Sequence, residues 1–255
     1  MTITSPRFSL ILFSLLIASF VTHAEVPVWQ YEVIKRFRHD THAYTQGLLI
    51  HNHTVYESTG LYGRSDLRRY AFADHEPDKI ALPRRYFGEG IAVVGDRLYQ
   101  LTWQEGIVYV YDVKSFKMLG RMRLPTQEGW GLTSNGKLMF MTDGSSTLYR
   151  ILPNGFKIIA QVEVTADGKP VDKLNELEYI DGLIYANVYE TDRIAVIDPD
   201  TGKVQAWLDL KGLTGPWTPT DPGAVLNGIA YDAKDQATYV TGKLWPWMYQ
   251  IRVKK

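Results

Sequence analysis

Phe87-Gly88-Glu89-Gly90-Ile91 places one carboxylate between two glycines, after an aromatic residue and ahead of an apolar run. Glycine on each side removes side-chain bulk and lets another group approach the backbone closely. Taken alone, the same letters describe a strand that opens on a structural ion pair with Arg84 or Lys243. The pattern returns, however, as Gln46-Gly47-Leu48, Trp130-Gly131-Leu132, Asn175-Glu176-Leu177 and Asn227-Gly228-Ile229. Each is a polar or aromatic residue, then in all but one case a glycine, then an aliphatic. Positions 46, 89, 130, 175 and 227 are 43, 41, 45 and 52 residues apart, the length of a four-stranded propeller blade.

The interior of each segment agrees. A turn signal follows the opening: His51-Asn52, Gly95-Asp96, Asn135-Gly136, Asp181-Gly182, and Ala233 to Gln236. Next comes a β-rich run at Val55-Tyr56, Leu98-Tyr99, Leu138 to Phe140, Ile184-Tyr185 and Thr238-Tyr239. Third strands are predicted at 67–72, 108–113, 148–152, 193–198 and 247–253, and fourth strands at 79–82, 118–124, 157–164 and 204–210. The last segment reaches Lys255 after its third strand, and Tyr31 to Phe37 supplies the missing fourth. The fold expected is therefore all-β: a five-bladed β-propeller of four-stranded antiparallel blades, its last blade closed by the N-terminal strand, which removes open edges. A two-sheet sandwich predicts less regular spacing.

Lys plus Arg equals Asp plus Glu at 28 each, so no net field attracts nucleic acid or anionic lipid. Arg7, the apolar run Leu10 to Val21 and Thr22-His23-Ala24 read as a signal peptide over 1–24. The run is too short to span a membrane. Residues 25–255 form the expected single domain. With no Cys, disulfides, thiol catalysis and a Cys-linked lipid anchor are excluded. The expected location is the periplasm of a Gram-negative bacterium or the medium, with no membrane attachment after cleavage. Nothing in the chain calls for an oligomer, so a monomer is expected.

In a blade, the first strand starts and the second ends at one rim. Gln46, Glu89, Trp130, Asn175 and Asn227 should therefore share a mouth with the residues fourteen positions on, Gly60, Trp103, Gly144 and Tyr189, and with Lys243 after the longer last hairpin. A concave, aromatic opening with a few convergent polar groups is the look of a small-ligand site.

The strings Tyr44-Thr45-Gln46-Gly47-Leu48, Phe87-Gly88-Glu89-Gly90, Leu101-Thr102-Trp103-Gln104-Glu105-Gly106, Glu128-Gly129-Trp130-Gly131-Leu132, Leu174-Asn175-Glu176-Leu177-Glu178 and Leu226-Asn227-Gly228-Ile229-Ala230 resemble the plant-type glutaminyl cyclases, which also occur in bacteria. The resemblance spans the whole mature chain. It implies an aminoacyltransferase that converts the N-terminal glutamine of peptides and proteins to pyroglutamate with release of ammonia. Carried across by motif, it makes Glu89 the general acid and base, with Lys243 and Asn175 as catalytic partners. Gln46, Tyr44, Phe87, Trp103, Trp130 and Tyr189 would bind substrate. Tyr44 and Tyr189 depart from the Phe and Trp of the plant pattern. No metal or other cofactor is expected in catalysis, and a structural ion in the channel is left open.

Chemically, the α-amine, with a pKa of about 8, attacks the carbon of its own side-chain amide. One carboxylate between the two nitrogens serves both proton transfers, and burial against Phe87, Trp103 and Trp130 raises its pKa, favouring donation in the second half. Lys243 with the Asn175 amide faces the oxyanion, and Gln46 accepts from the α-amine; the parts of Gln46 and Asn175 are interchangeable at this stage.

Other signals are weaker. His39-Asp40-Thr41-His42 reads as loop, His51 and His53 as a solvated turn, and Asp143-Gly144-Ser145 either as a turn or as a carboxylate in the mouth. Glu105, Glu128 and Glu176 are secondary candidates, and residues 215–222 are a Pro-rich connection. The alternative functions are a metal-dependent lactonase-like hydrolase, which needs several oxygen ligands on one cation, and a periplasmic ligand-binding or scaffold propeller.

Overall fold

The computed structural model describes residue 1, residues 25–72 and residues 76–255; the leader expected at 1–24 lies, Met1 apart, outside the described residues. Among the described residues there is no helix. Strand β1 (Val28–Arg38) leads into β2 (Thr45–His51), β3 (Thr54–Thr59), β4 (Asp66–Tyr70) and β5 (Asp78–Ala81), an antiparallel four-stranded meander. The second meander is β6 (Gly88–Val94), β7 (Arg97–Thr102), β8 (Ile107–Asp112) and β9 (Lys117–Arg123). The third is β10 (Leu132–Ser134), β11 (Met139–Met141), β12 (Thr147–Leu152) and β13 (Lys157–Glu163). A short hairpin that no repeat signal marks, β14 (Thr165–Ala166) and β15 (Lys169–Pro170), precedes β16 (Leu174–Ile180), β17 (Leu183–Val188), β18 (Arg193–Ile197) and β19 (Val204–Asp209). The chain ends in β20 (Leu226–Asp232), β21 (Ala237–Gly242) and β22 (Trp247–Lys254).

Two-residue turns fix the hairpin registers. Asn52 and His53, at φ 51° and 60°, join β2 to β3, and Asp181 and Gly182, at 50° and 89°, join β16 to β17. Positive φ at both central residues gives the turn whose twist matches its strands.

The N-terminal strand pairs antiparallel with the C-terminal one, from Gln30 opposite Lys254 to Arg38 opposite Trp247, as the sequence suggests. One feature differs from five separate sheets. At 11 residues β1 outruns β22, and its first residues, Val28 and Trp29, pair in parallel with Trp207 and Leu208 of β19. The last two meanders and β1 are thereby joined in one mixed eight-stranded sheet.

Burial falls from the first strand of each meander to the last. Thr45 to Leu49 of β2 and Gly88 to Ala92 of β6 are buried, whereas β9 and β13 are mostly exposed. First strands neighbour one another in the order β2, β6, β10, β16, β20, and β20 returns to β2. The apolar core follows the same order. Leu67 and Tyr111 pack between the first and second meanders, Tyr99 and Phe156 between the second and third, and Phe140 and Ile184 between the third and fourth. Leu208 and Val240 share the next cluster, and Leu48 with Tyr239 and Met248 joins the last meander to the first.

The junction between β1 and the first meander is a loop, as the sequence reads, and it carries a buried charge cluster. His39 Nδ1 donates to the Trp245 carbonyl at 2.7 Å and Nε2 to Glu57 Oε1 at 3.0 Å. Arg68 forks onto Asp66 at 2.8 Å through both Nε and Nη2, and reaches Asp40 at 2.9 Å. Burial opposes charge on both partners, but His39, Arg68 and the Thr45 hydroxyl together hold Glu57 down to about 2, and Glu57 raises His39.

Replacing one member of a buried pair leaves the other charge uncompensated, at a cost of about 3–5 kcal/mol, which is the loss expected for Glu57→Gln in urea unfolding near pH 6. The Glu57 contribution is complete above its ordinary 4.5 and is lost as pH falls toward 2. The His39 contribution is complete below its ordinary 6.5 and is lost as pH rises through the folded value. The gap between wild type and variant should peak between those two values, and a gap that does not vary with pH would contradict an ionic contribution.

Candidate active site

Four of the side chains predicted to share a mouth start from β-bulges. The ladder slips at Thr45/Gly47, Gly88/Ile91, Leu174/Leu177 and Leu226/Ile229, so Gln46, Glu89, Asn175 and Asn227 each sit on an extra residue. A bulge re-aims the side chain it carries. Glycine after the bulge lets neighbouring first strands touch through backbone: Gly90 N donates to the Trp130 carbonyl at 2.7 Å, and a Cβ on Gly131 would collide with the Asn175 carbonyl. Glu176 stands where the other openings have glycine. Its buried carboxylate reaches across, accepting from Leu48 N at 3.2 Å and Ile229 N at 2.7 Å, so it ties strands together rather than lining the mouth.

Second strands end at the same rim. Backbone bonds from Trp103 N to Phe87 O at 3.0 Å, Tyr189 N to Lys173 O at 2.9 Å and Lys243 N to Val225 O at 2.9 Å hold those positions. At the corresponding glycine, Gly60, the Phe87 ring occupies the space a Cβ would take.

The result is a cavity of about 220 Å³ lined by Tyr44, Gln46, Phe87, Glu89, Trp103, Trp130, Asn175, Tyr189 and Lys243. The nine residues given catalytic or substrate-binding parts by the resemblance meet there, whereas Asn227, also expected at the rim, is fully buried and lies outside the lining. The cavity volume lies below the roughly 300–1,000 Å³ of common ligand pockets. A hollow of about 460 Å³ over Tyr86 and Tyr109 is larger but has no carboxylate in its lining.

Glu89 is 3% exposed. Burial pushes its carboxyl well above the ordinary range, outweighing the nearby Lys243 charge and the hydrogen bond from Gln46. Gln46 Nε2 donates to Oε1 at 2.8 Å, while Oε2 has no hydrogen-bond partner among the described residues. Asn175 Oδ1 is likewise buried and unpartnered. Burial brings the Lys243 ammonium down to about 8 against the opposing pull of Glu89 and Glu190. Its Nζ lies 4.7 Å from the Tyr44 ring centroid and 4.6 Å from that of Tyr189, where two ring faces favour the cation. Burial, with the neighbouring Tyr189 hydroxyl, pushes the Tyr44 hydroxyl up to about 12.

The aromatic wall is held by acids. One oxygen of Glu128, Oε2, accepts from Trp103 Nε1 at 2.8 Å and Trp130 Nε1 at 2.9 Å, while Oε1 accepts from Gln104 at 2.8 Å. Burial would raise this carboxyl, but the three hydrogen bonds outweigh it and hold it below its ordinary value. Glu105 accepts from the Tyr62 hydroxyl at 2.8 Å, and Tyr62 packs edge-on to Phe87 with centroids 5.4 Å apart. Tyr62 is a wall residue that the repeat pattern does not reveal, because it lies between strands. Asp143 stays in its turn, accepting from Ser145 and Tyr149. His53 lies with Asp232 and Asp235 at the hairpin-turn ends of the strands, opposite the mouth; its Nδ1 meets Asp232 at 2.8 Å.

A buried carboxyl and a buried amine thus line one small aromatic pocket on an all-β frame. The chain belongs to the glutamine cyclotransferase family, whose model matches residues 8–253. It is 41% identical over 231 residues to the glutaminyl-peptide cyclotransferase of Arabidopsis thaliana, a match covering 88% of this chain and 71% of that one. Its fold superposes on that of Myxococcus xanthus glutaminyl cyclase with a TM-score of 0.82 at 34% identity, over 90% of this chain and 99% of that one. A nidogen/laminin complex shares the fold alone, at 16% identity and a TM-score of 0.52, over 79% of this chain and 73% of that one.

If Glu128 braces both indoles, Glu128→Ala should loosen the wall without removing the acid. Hydrogen bonds to charged groups contribute about 1.5–3 kcal/mol, and partial exposure reduces that, so KM is expected to rise about tenfold with kcat changing less. Tryptophan emission should shift to longer wavelength. Unchanged KM and emission would mean the wall stands without it.

Proposed function

We propose that this chain closes the N-terminal glutamine of peptides and proteins into pyroglutamate in the mouth pocket, with Glu89 as general acid and base. The observation that carries the reading is Glu89 itself, buried, favoured in its neutral form, with one oxygen held and the other unpartnered. Nucleophile and electrophile belong to one residue, so holding the side chain folded back supplies much of the acceleration. The neutral α-amine attacks the amide carbon and forms the ring C–N bond. Glu89 gives its proton to the departing nitrogen, the old C–N bond breaks, and ammonia leaves. The carboxylate then takes the proton left on the attacking nitrogen, which restores the neutral acid. Lys243 in its charged form and the Asn175 amide oppose the negative charge on the former amide oxygen. Gln46 donates from Nε2 to Glu89 Oε1, so it holds the acid. Tyr44, Phe87, Trp103, Trp130 and Tyr189 pack around the glutamine, and the rest of the peptide trails outward.

The scaffold under this site is read as one domain over residues 25–255, a five-bladed propeller closed by β1. Support comes from the return of β20 to β2 and from the cluster shared by the last and first meanders. Residues 1–24 are read as a leader directing a monomeric enzyme to the periplasm or the medium. Catalysis is read as needing no cofactor, a structural channel ion being left open.

General acid–base groups contribute about 10²–10⁴-fold, so Glu89→Gln should lower ammonia release from Gln-initiated peptides by that factor with folding intact; near wild-type turnover would sink the reading. The Lys243 charge is present below about 8 and lost above it, so kcat/KM should fall on the alkaline side through that value. Lys243→Arg should move the limb upward, and an unmoved limb would assign it to another group. Exhaustive chelation should leave kcat unchanged, whereas loss restored by a divalent ion would favour the hydrolase-like alternative.

A further inference from the structure

Asn227 contacts no predicted reacting group, yet it stands at the end of a hydrogen-bond chain that leads to the acid. It is fully buried on the bulge of β20. Its Nδ2 donates to the Thr45 carbonyl at 2.9 Å and to Gln46 Oε1 at 3.3 Å. The chain has one consistent direction. A backbone carbonyl can only accept, so the amide nitrogen of Asn227 must face Thr45. The same nitrogen faces Gln46, whose carbonyl oxygen must then point at Asn227, because the reverse would set two amide donors against each other. The Gln46 amide nitrogen is left facing Glu89, where it donates to Oε1 at 2.8 Å. The carbonyl oxygen of a carboxylic acid is its better acceptor, so an amide donor on one oxygen favours the proton on the other. The preferred site of the acidic proton of neutral Glu89 is thereby Oε2, the oxygen without a partner.

We propose that Asn227 is a positioning residue that fixes the orientation of the Gln46 amide and so decides which oxygen of Glu89 carries the proton delivered to the leaving ammonia. The proposal rests on the reading of Glu89 as the acid. Without Asn227 the Gln46 amide can turn over, and its carbonyl then accepts the Glu89 proton on Oε1. That arrangement withholds the proton from the substrate and stabilises the neutral acid further. The charged and titratable groups around Glu89 are Lys243, Glu105, Glu128, Tyr44 and Tyr62; none of them touches Asn227 in the chain described, so their influence stays constant in the comparison.

The test compares wild type with Asn227→Ala, Gln46→Leu and the double variant, using a short Gln-initiated peptide. Asn227→Ala is expected to lower kcat about 10–100-fold with KM within threefold, and to move the kcat limb that reports the acid to higher pH. In the Gln46→Leu background the same change should cost less than twofold, because the residue acts through Gln46. Asn227→Ser, whose hydroxyl can still donate one bond, should recover part of the loss. An unmoved pH profile, or a loss of equal size in both backgrounds, would overturn the proposal. So would failure of both Asn227 variants to fold, which would assign the residue to the scaffold through Thr45. If Glu89→Gln is itself active, the acid assignment fails first. If Glu89→Gln is inactive and Asn227→Ala behaves as wild type, this proposal alone fails.

Discussion

First strands that must meet backbone to backbone set the terms for the rest of this molecule. The Gly90 amide bonded to the Trp130 carbonyl, and Gly131 against the Asn175 carbonyl, leave no room for a side chain between neighbouring strands. At Gln46 and Glu89 the residue before the glycine sits on a bulge that turns it toward the mouth. Packing and chemistry are therefore settled by the same dipeptide. Where glycine is missing, at Glu176, the side chain reaches across to two other strands and becomes part of the frame.

Inside the mouth, desolvation acts on an acid and a base in opposite senses and drives both toward neutrality. For Glu89 it wins outright; for Lys243 it is partly countered by the carboxylates nearby and by the two tyrosine faces. The outcome is a pocket in which burial favours the neutral form of both groups, with no ion pair between them. A more exposed site would favour the ionised carboxylate of Glu89 and would weaken electrostatic contacts within the pocket.

The carboxylates around the opening have a different part. Glu128 and Glu105 spend their oxygens on indole, hydroxyl and amide donors of the wall. Rings that would otherwise shift are held at fixed angles, and a pocket for one residue keeps its shape. The junction of His39, Glu57 and Arg68 does similar service beneath, fixing β1 and the first meander to each other.

Repeat spacing, turn residues and short β-rich runs determined the strands and which side chains share a rim, because those are local properties of the backbone. Gln46, Glu89, Asn175 and Lys243 could be named in advance since each occupies an equivalent place in a repeat. The sequence could not show that Glu128 carries two indoles on one oxygen, that Tyr62 joins the wall from an irregular connection, or that β1 also reaches β19. Nor could it give the direction of the chain from Thr45 through Asn227 and Gln46 to Glu89. Those depend on distances between residues up to 182 positions apart, and on which lone pair faces which proton, quantities that exist only once the strands have closed on one another.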